Sequence, residues 1–249
     1  DTFIKFPYKL YRGGKIKYDK WVPPLLMAER DILNQNKDPF YKHADCEHYL
    51  AYKDGNVVGR VSSIIDHEYN KYHNANTGYF GFYESIEDES LAKQLIDAAS
   101  SWLKDRGISK MMGPINPSPN HELGTLINNF ETPSVVQMPY NPPYYNRILK
   151  STGLEKEKDL FSYVLDKSQQ PSDKIKRVAE LAKKRSKIRL RKVDLKDFDE
   201  LVEIIRYIYN DAWSDNWGFV PWTKEEFAYL AKDLKLILIP ELVLLAHKD

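Results

Sequence analysis

One cysteine in 249 residues, Cys46, leaves no partner for an internal disulfide, and a fold that does without disulfides suits a reducing compartment. Long apolar runs are missing too. The longest, Leu236 to Ala246, is broken by Pro240 and Glu241 and falls short of the ~20 residues that cross a bilayer. This predicts no integral membrane segment. No signal peptide opens the chain at Asp1, and with the lone cysteine this gives the expectation of a cytoplasmic protein. Charge of one sign is also scarce: 37 Lys and Arg face 36 Asp and Glu. Such a balance provides no global field for nucleic acid, and no nucleic-acid partner is expected. Walker loops, CxxC pairs and Ser-His-Asp elbows are absent. His43, Asp45, Cys46, Glu47 and His48 crowd together, but their spacing fits no closed zinc pattern, so no metal is expected.

What the sequence does have is 42% apolar residues, enough for a buried core, and an internal echo. Tyr11 precedes Val22-Pro23 by eleven residues, as Tyr209 precedes Val220-Pro221, at an offset of 198. Leu50-Ala51-Tyr52-Lys53-Asp54 matches Leu245-Ala246-His247-Lys248-Asp249 at an offset of 195. Order and spacing are both kept, as a duplicated unit requires. In the first copy Gly55 follows and makes a hairpin turn; the second copy stops where that turn should form, so most of its sheet is expected beyond Asp249. The chain divides on this reading into a first unit over 1–166, a basic connecting helix over 167–187, and the start of a second unit over 188–249. Lys174 to Arg191 is read as a solvated helix rather than a nucleic-acid or membrane contact.

In the first unit an extended entry at Trp21-Val22-Pro23-Pro24 precedes a helix from Leu25 to Asn34. A hairpin pairs Tyr49–Tyr52 with Val57–Ile65, and Gly78–Tyr83 makes an aromatic third strand. Leu91, Leu95, Ala98, Ala99 and Trp102 share a helical stripe over Ser90–Arg106, with Ser85 and Asp88 as a capping box. Leu95, Ala99 and Trp102 should pack on the sheet. Short strands at Lys110–Met112 and Leu160–Leu165 flank a Pro-rich stretch and a helix from Tyr144 to Thr152. The order predicts an α/β mixed, mostly antiparallel sheet flanked by helices.

This order, together with Trp21-Val22-Pro23-Pro24, Gly78-Tyr79-Phe80-Gly81-Phe82-Tyr83-Glu84, Gly113-Pro114-Ile115-Asn116 and Met138-Pro139-Tyr140-Asn141-Pro142-Pro143-Tyr144-Tyr145, resembles the GCN5-related N-acyltransferase (GNAT) superfamily, in a poorly characterised tandem-domain branch. Asn210-Asp211-Ala212-Trp213 and Asn216-Trp217-Gly218-Phe219-Val220-Pro221 resemble the second unit of that branch. The resemblance implies an N-acyltransferase that moves an acyl group from acetyl-CoA or another acyl-CoA to an amine, by direct attack. A small-molecule or lipid amine would be the acceptor. It further implies CoA contacts at Phe82, Tyr83, Asn116 and Ser118, and a tyrosine that protonates the departing thiolate. Tyr145 is the candidate for that role, although the aligned position four residues before Gly153 holds Leu149. Glu122 is the candidate base, beside His121; surface decoration is the alternative for both.

The family holds the CoA pyrophosphate on amides of a glycine-rich loop at a helix start. The corresponding loop, Glu84-Ser85-Ile86-Glu87-Asp88-Glu89-Ser90, has no glycine and four carboxylates. Each carboxylate at ~6 Å from a phosphate and an effective dielectric of ~40 costs roughly 1.4 kcal/mol, against ~0.3–1 kcal/mol from the helix dipole. The first unit is therefore expected to be degenerate in CoA binding. A glycine-rich loop roughly 35 residues past Asp249 would favour catalysis by the second unit. An aminoacyl- or long-chain N-acyltransferase of duplicated fold, and a non-catalytic binding module, are the other readings.

Overall fold

A computed structural model describes residues 1–13, 18–166, 168, 170–235 and 238–248. The chain divides into two compact units, one of Asp1–Asp159 with Trp213–Trp222 and one of Leu160–Ala212 with Thr223–Asp249.

Helix α1 (Thr2–Gly13) opens the first unit and buries Ile4, Phe6, Pro7 and Tyr11. Ile4, Pro7 and Tyr11 recur at helical spacing, a stripe that the sequence reading passed over because Pro7 interrupts it. Helix α2 (Leu26–Ile32) and a 3₁₀ turn over Pro39–Lys42, capped by Asp38, lead into the sheet. Strand β1 (Ala44–Lys53) pairs antiparallel with β2 (Asn56–Asp66). Their turn is Asp54-Gly55, both at positive φ (50° and 75°), the conformation that matches hairpin twist. Helix α3 (His67–His73) starts where the Asp66 carboxylate accepts from the amides of Glu68 and Tyr69.

Strand β3 (Thr77–Ser85) follows, then helix α4 (Glu89–Lys104), β4 (Lys110–Met112), the short strands β5 (Ile115–Asn116) and β6 (Glu122–Leu123), and helix α5 (Tyr145–Ser151). The main sheet runs β1-β2-β3-β4, antiparallel except for the parallel β3–β4 pair. The mixed, mostly antiparallel architecture is the one expected.

Two apolar layers enclose the sheet. Leu91, Leu95 and Ala99 of α4 pack with Phe80, Tyr83, Tyr145 and Ile148. Phe40, Ile64, Tyr69, Tyr79, Phe82 and Val220 form the other layer. Each large aliphatic side chain so buried gives ~1.5–3 kcal/mol relative to exposure. Trp102 departs from its expected burial: it is only partly covered, and the Arg106 guanidinium lies 3.9 Å from its ring centroid. The helix cap also differs. Asp88 is the N-cap, accepting from the Leu91 amide, while Ser85 ends β3.

The second unit holds α6 (Asp173–Ser186), β7 (Ile188–Lys192), α7 (Phe198–Trp213), α8 (Lys224–Lys235) and β8 (Leu244–Lys248). Helix α6 buries nothing, as a solvated helix should. Strands β7 and β8 pair antiparallel, and Val193, Leu201 and Leu245 make a small core. Thr223 and Glu226 form a reciprocal capping box at α8: Thr223 N donates to the carboxylate and Glu226 N donates to the hydroxyl, each at 3.2 Å. The buried face of α8 is Glu226, Phe227 and Ala231, and Leu234 is exposed.

Helix, helix, 3₁₀ turn and strand thus recur. Tyr11 and Tyr209 lie in α1 and α7, Pro39 and Pro240 start the turns, and Leu50-Ala51-Tyr52 and Leu245-Ala246-His247 lie in β1 and β8. The hairpin turn expected at Asp249 lies outside the described residues. Two expectations need correction. Residues 213–222, assigned in sequence to the second unit, pack within the first, with Val220 in its core. Leu160–Leu165 is irregular instead of a strand; Leu160, Phe161, Tyr163, Val164 and Leu165 are all exposed, so the β-favouring side chains that suggest a strand have no sheet to pack on here.

Candidate active site

The site grows from an irregularity in β3. Arg60 pairs with Glu84 and Ser62 with Gly81, so two residues, Phe82 and Tyr83, oppose one on β2. That is a β-bulge, a device common beside active sites. Phe82 takes the left-handed region at φ 48°, uncommon for a bulky residue and costly without local support. Support comes from Asn116, whose Oδ1 accepts from the Phe82 amide at 2.5 Å. Gly81 permits this approach: a Cβ there would meet the Ile115 carbonyl oxygen at 2.0 Å. The bulge also resets the side-chain alternation. Tyr79 and Phe82 enter one layer, Phe80 and Tyr83 the other.

Glu84 immediately follows the bulge. Its Oε2 accepts from Tyr11 of α1 at 2.9 Å and from Tyr145 of α5 at 2.5 Å. The Tyr145 hydroxyl in turn accepts from the Ser85 amide at 2.9 Å, and Tyr144 donates to the Ser85 carbonyl at 2.7 Å. Burial is the main influence on the Glu84 carboxyl and pushes its pKa up to about 7; Arg60 and the two phenols pull against it. Burial likewise raises both phenols well above their ordinary value, with Glu84 adding to the effect. Tyr11 and Tyr145 therefore stay protonated and donate, while Glu84 changes charge near neutrality. Glu84 is only half-buried as a residue, so it retains some accessible surface.

Arg60 is the nearby cation. It is buried, donates Nη1 to the Phe3 carbonyl at 2.8 Å, and places its guanidinium 4.8 Å from the Phe3 ring centroid. Its Nε is buried without a hydrogen-bond partner. Two further carboxyls, Glu122 and Glu29, are raised mainly by burial, and Arg60 opposes both shifts.

The candidates from sequence fall into three groups. Tyr145 joins the Glu84 network. Asn116 links Phe82 to Glu122, donating Nδ2 to Glu122 Oε1 at 3.2 Å. Tyr83 and Ser118 turn elsewhere: the Tyr83 hydroxyl meets Ser85 Oγ at 2.7 Å, and Ser118 Oγ meets His121 Nδ1 at 2.9 Å. Sequence reasoning missed Tyr11 as a site residue, Arg60 entirely, and Glu84 as anything but part of an acidic loop. One signal was available for Glu84. It is the only charged residue in β3, a strand otherwise buried on both faces.

The α4 entrance is acidic and internally paired. The Leu91 amide, which a phosphate oxygen would need, is taken by Asp88 at 3.0 Å. Glu87 and Glu89 both pair with Arg147, and the Lys53 ammonium lies 3.8 Å from the Asp88 carboxylate. His43 meets Asp66 at 3.2 Å and His48 meets Ser62 Oγ at 2.7 Å. Among the described residues no group of three or more His, Cys, Asp or Glu side chains is placed to hold a metal.

Comparison with known proteins places this geometry. Residues 16–122 match the acetyltransferase (GNAT) family. The chain is 33% identical over 249 residues to protein YghO of Escherichia coli (strain K12), covering 100% of this chain and 62% of that protein. It is 36% identical over 254 residues to bacterial ceramide synthase of Caulobacter vibrioides (strain NA1000 / CB15N), covering 99% of this chain and 63% of that protein. The chain thus spans a little under two thirds of the length of these relatives. No solved structure matches. The family match lies over the bulged sheet, with the expected architecture around it, and assigns residues 16–122 to the GNAT family.

Proposed function

We propose that this chain is part of an acyl-CoA-dependent N-acyltransferase whose acceptor is a long-chain lipid amine, and that the first unit holds the amine. The observation that carries the proposal is Glu84, a half-buried carboxylate tuned to about 7. A base must remove the proton of an ammonium before the nitrogen can attack a thioester, and a group tuned near the working pH does so best. Tyr11 and Tyr145 fix the carboxylate from two helices, which preorganises it. Asn116 and Glu122 lie beyond the Phe82 amide as polar groups for acceptor contact.

The lipid acceptor follows from the relative named a ceramide synthase, since a ceramide is the amide of a long-chain amino alcohol. The acyl donor is assigned to another part of the protein, because Asp88 and the Glu87–Arg147–Glu89 cluster leave no anion site at α4.

The test is Glu84→Gln in the intact protein, assayed with acyl-CoA and a long-chain amine. The expected result is a fall in kcat of roughly 10²–10⁴-fold with KM for the acyl-CoA retained. Unchanged kcat refutes Glu84 as the base.

A further inference from the structure

The outer side of the first unit carries an apolar patch that neither the fold nor the proposed chemistry uses. Val22, Leu25 and Met27 are exposed by 53%, 73% and 71%, and Val135, Val136 and Met138 by 67%, 77% and 42%. Backbone contacts bring the two segments together: Val22 N donates to Ser134 Oγ at 3.3 Å, and Ser134 N donates to the Lys20 carbonyl at 3.3 Å. From Thr132 to Tyr140 the loop holds no charged residue. Loop tips facing water are ordinarily built from polar residues, and grouped exposed aliphatic side chains mark interaction sites.

Both segments also reach the Glu84 network. Trp21, next to Val22, stacks on Tyr11 at 4.6 Å between centroids and 13° between planes. Tyr140, two residues past Met138, accepts from the Tyr11 hydroxyl through its carbonyl at 3.2 Å. One aromatic ring thus separates the patch from the carboxylate. Cations stand at the margin: Arg12, with its guanidinium 5.8 Å from the Trp21 ring centroid, and Lys20, whose ammonium lies 3.7 Å from the Asp19 carboxylate. Asp19 and Glu131 are the acids of the two segments.

From this arrangement we infer that Val22, Leu25, Met27, Val135, Val136 and Met138 form a docking surface for a lipid bilayer, inserting shallowly beside anionic headgroups. The occupant is chosen on chemistry. The knobs are all aliphatic, with the aromatic rings buried behind them, whereas protein interfaces concentrate aromatic residues and arginine at their centres. Lys and Arg around an apolar tip suit an anionic membrane surface. Among the described residues no helix is long and apolar enough to cross a membrane, so attachment through these residues is peripheral. The inference rests on the proposed lipid-amine acceptor for its purpose, because a base beside a membrane-facing patch can receive an amine without the lipid leaving the bilayer.

The experiment is sedimentation of the intact protein with vesicles of phosphatidylcholine and phosphatidylglycerol, comparing wild type with the Val135→Asp, Val136→Asp double variant. Both positions are exposed, and retained circular dichroism and thermal melting establish that the variant is folded. Each lost valine insertion is worth at least the factor of ten that 1.4 kcal/mol represents, so with both lost the expected partition coefficient falls about a hundredfold or more. A milder Val135→Ser, Val136→Ser variant should fall between. Failure of wild type to sediment with vesicles, or equal sedimentation of wild type and double variant, overturns the inference. So does a wild-type dimer that the double variant converts to monomer without change in vesicle binding, which would make the patch a self-association surface. Vesicle binding is read without turnover, so loss of acyl transfer with binding intact counts against the proposed function alone.

Discussion

Glu84→Gln should change how stability depends on pH, independently of any assay of turnover. The folded carboxyl titrates near 7 against an ordinary 4.5, chiefly because it is buried. Between these values the native state holds a proton that the unfolded chain has released, so stability falls as pH rises from 4.5 to 7 and is level above. The displacement corresponds to about 3 kcal/mol, a large fraction of the ~5–15 kcal/mol that holds a domain folded. Glutamine keeps the shape and one acceptor oxygen for the phenols but has no proton to release. Glu122 and Glu29, also raised by burial, slope the same way in both proteins, and the difference between the two proteins cancels them. The assay is urea unfolding at pH 5 and pH 8 by tryptophan fluorescence. All five tryptophans, Trp21, Trp102, Trp213, Trp217 and Trp222, lie in the first unit, so the signal reports the unit that contains Glu84. Relative to wild type, the variant should gain about 2.5 kcal/mol on going from pH 5 to pH 8. Parallel pH dependences would refute the claim that burial holds this carboxyl near neutrality.

Other changes test the scaffold. Leu95→Ala should cost about 2–5 kcal/mol in the same urea assay, because the side chain is 3% exposed between α4 and the sheet. Gly81→Ala should abolish the bulge or the fold, since the new Cβ would lie 2.0 Å from a backbone oxygen that cannot swing away; near-wild-type thermal melting would show that β3 and β5 are not in contact. Thr223→Ala should cost ~1 kcal/mol by removing the cap of α8, seen as faster hydrogen exchange in the first turn of that helix.

The sequence was informative where one face of an element is apolar and the other wet. The stripe of α4 and the Asp54-Gly55 turn are of that kind, and both are where periodicity and turn chemistry put them. It was less informative where burial is two-sided. All but one residue of β3 are buried, so alternation carries no signal, and nothing local announces that the register slips between Gly81 and Glu84. The Glu84 network shows the same limit. Its phenols arrive from residues 11 and 145, 73 and 61 positions away, and such meetings are made by packing. Tyr11 was visible only as half of a repeat, since a tyrosine on an apolar stripe looks the same whether it fills space or holds a proton. The acidic run from Glu84 to Glu89 was legible as hostile to phosphate, but its division into a half-buried carboxyl held by two phenols, a cap and a pair bound to Arg147 is set in three dimensions.

The six residues from Leu160 to Leu165 matter for handling the protein as well as for describing it. They combine β-branched, aromatic and aliphatic side chains without proline, glycine or charge, and five of the six present exposed apolar groups. That is the composition from which cross-β stacks assemble. Lys158 and Asp159 before the segment and Asp166 after it are the charges natural sequences use to interrupt such assembly. A fragment cut inside these flanks loses the repulsion and keeps the sticky strand, so truncations meant to isolate either unit should end well outside 158–166 if they are to remain in solution.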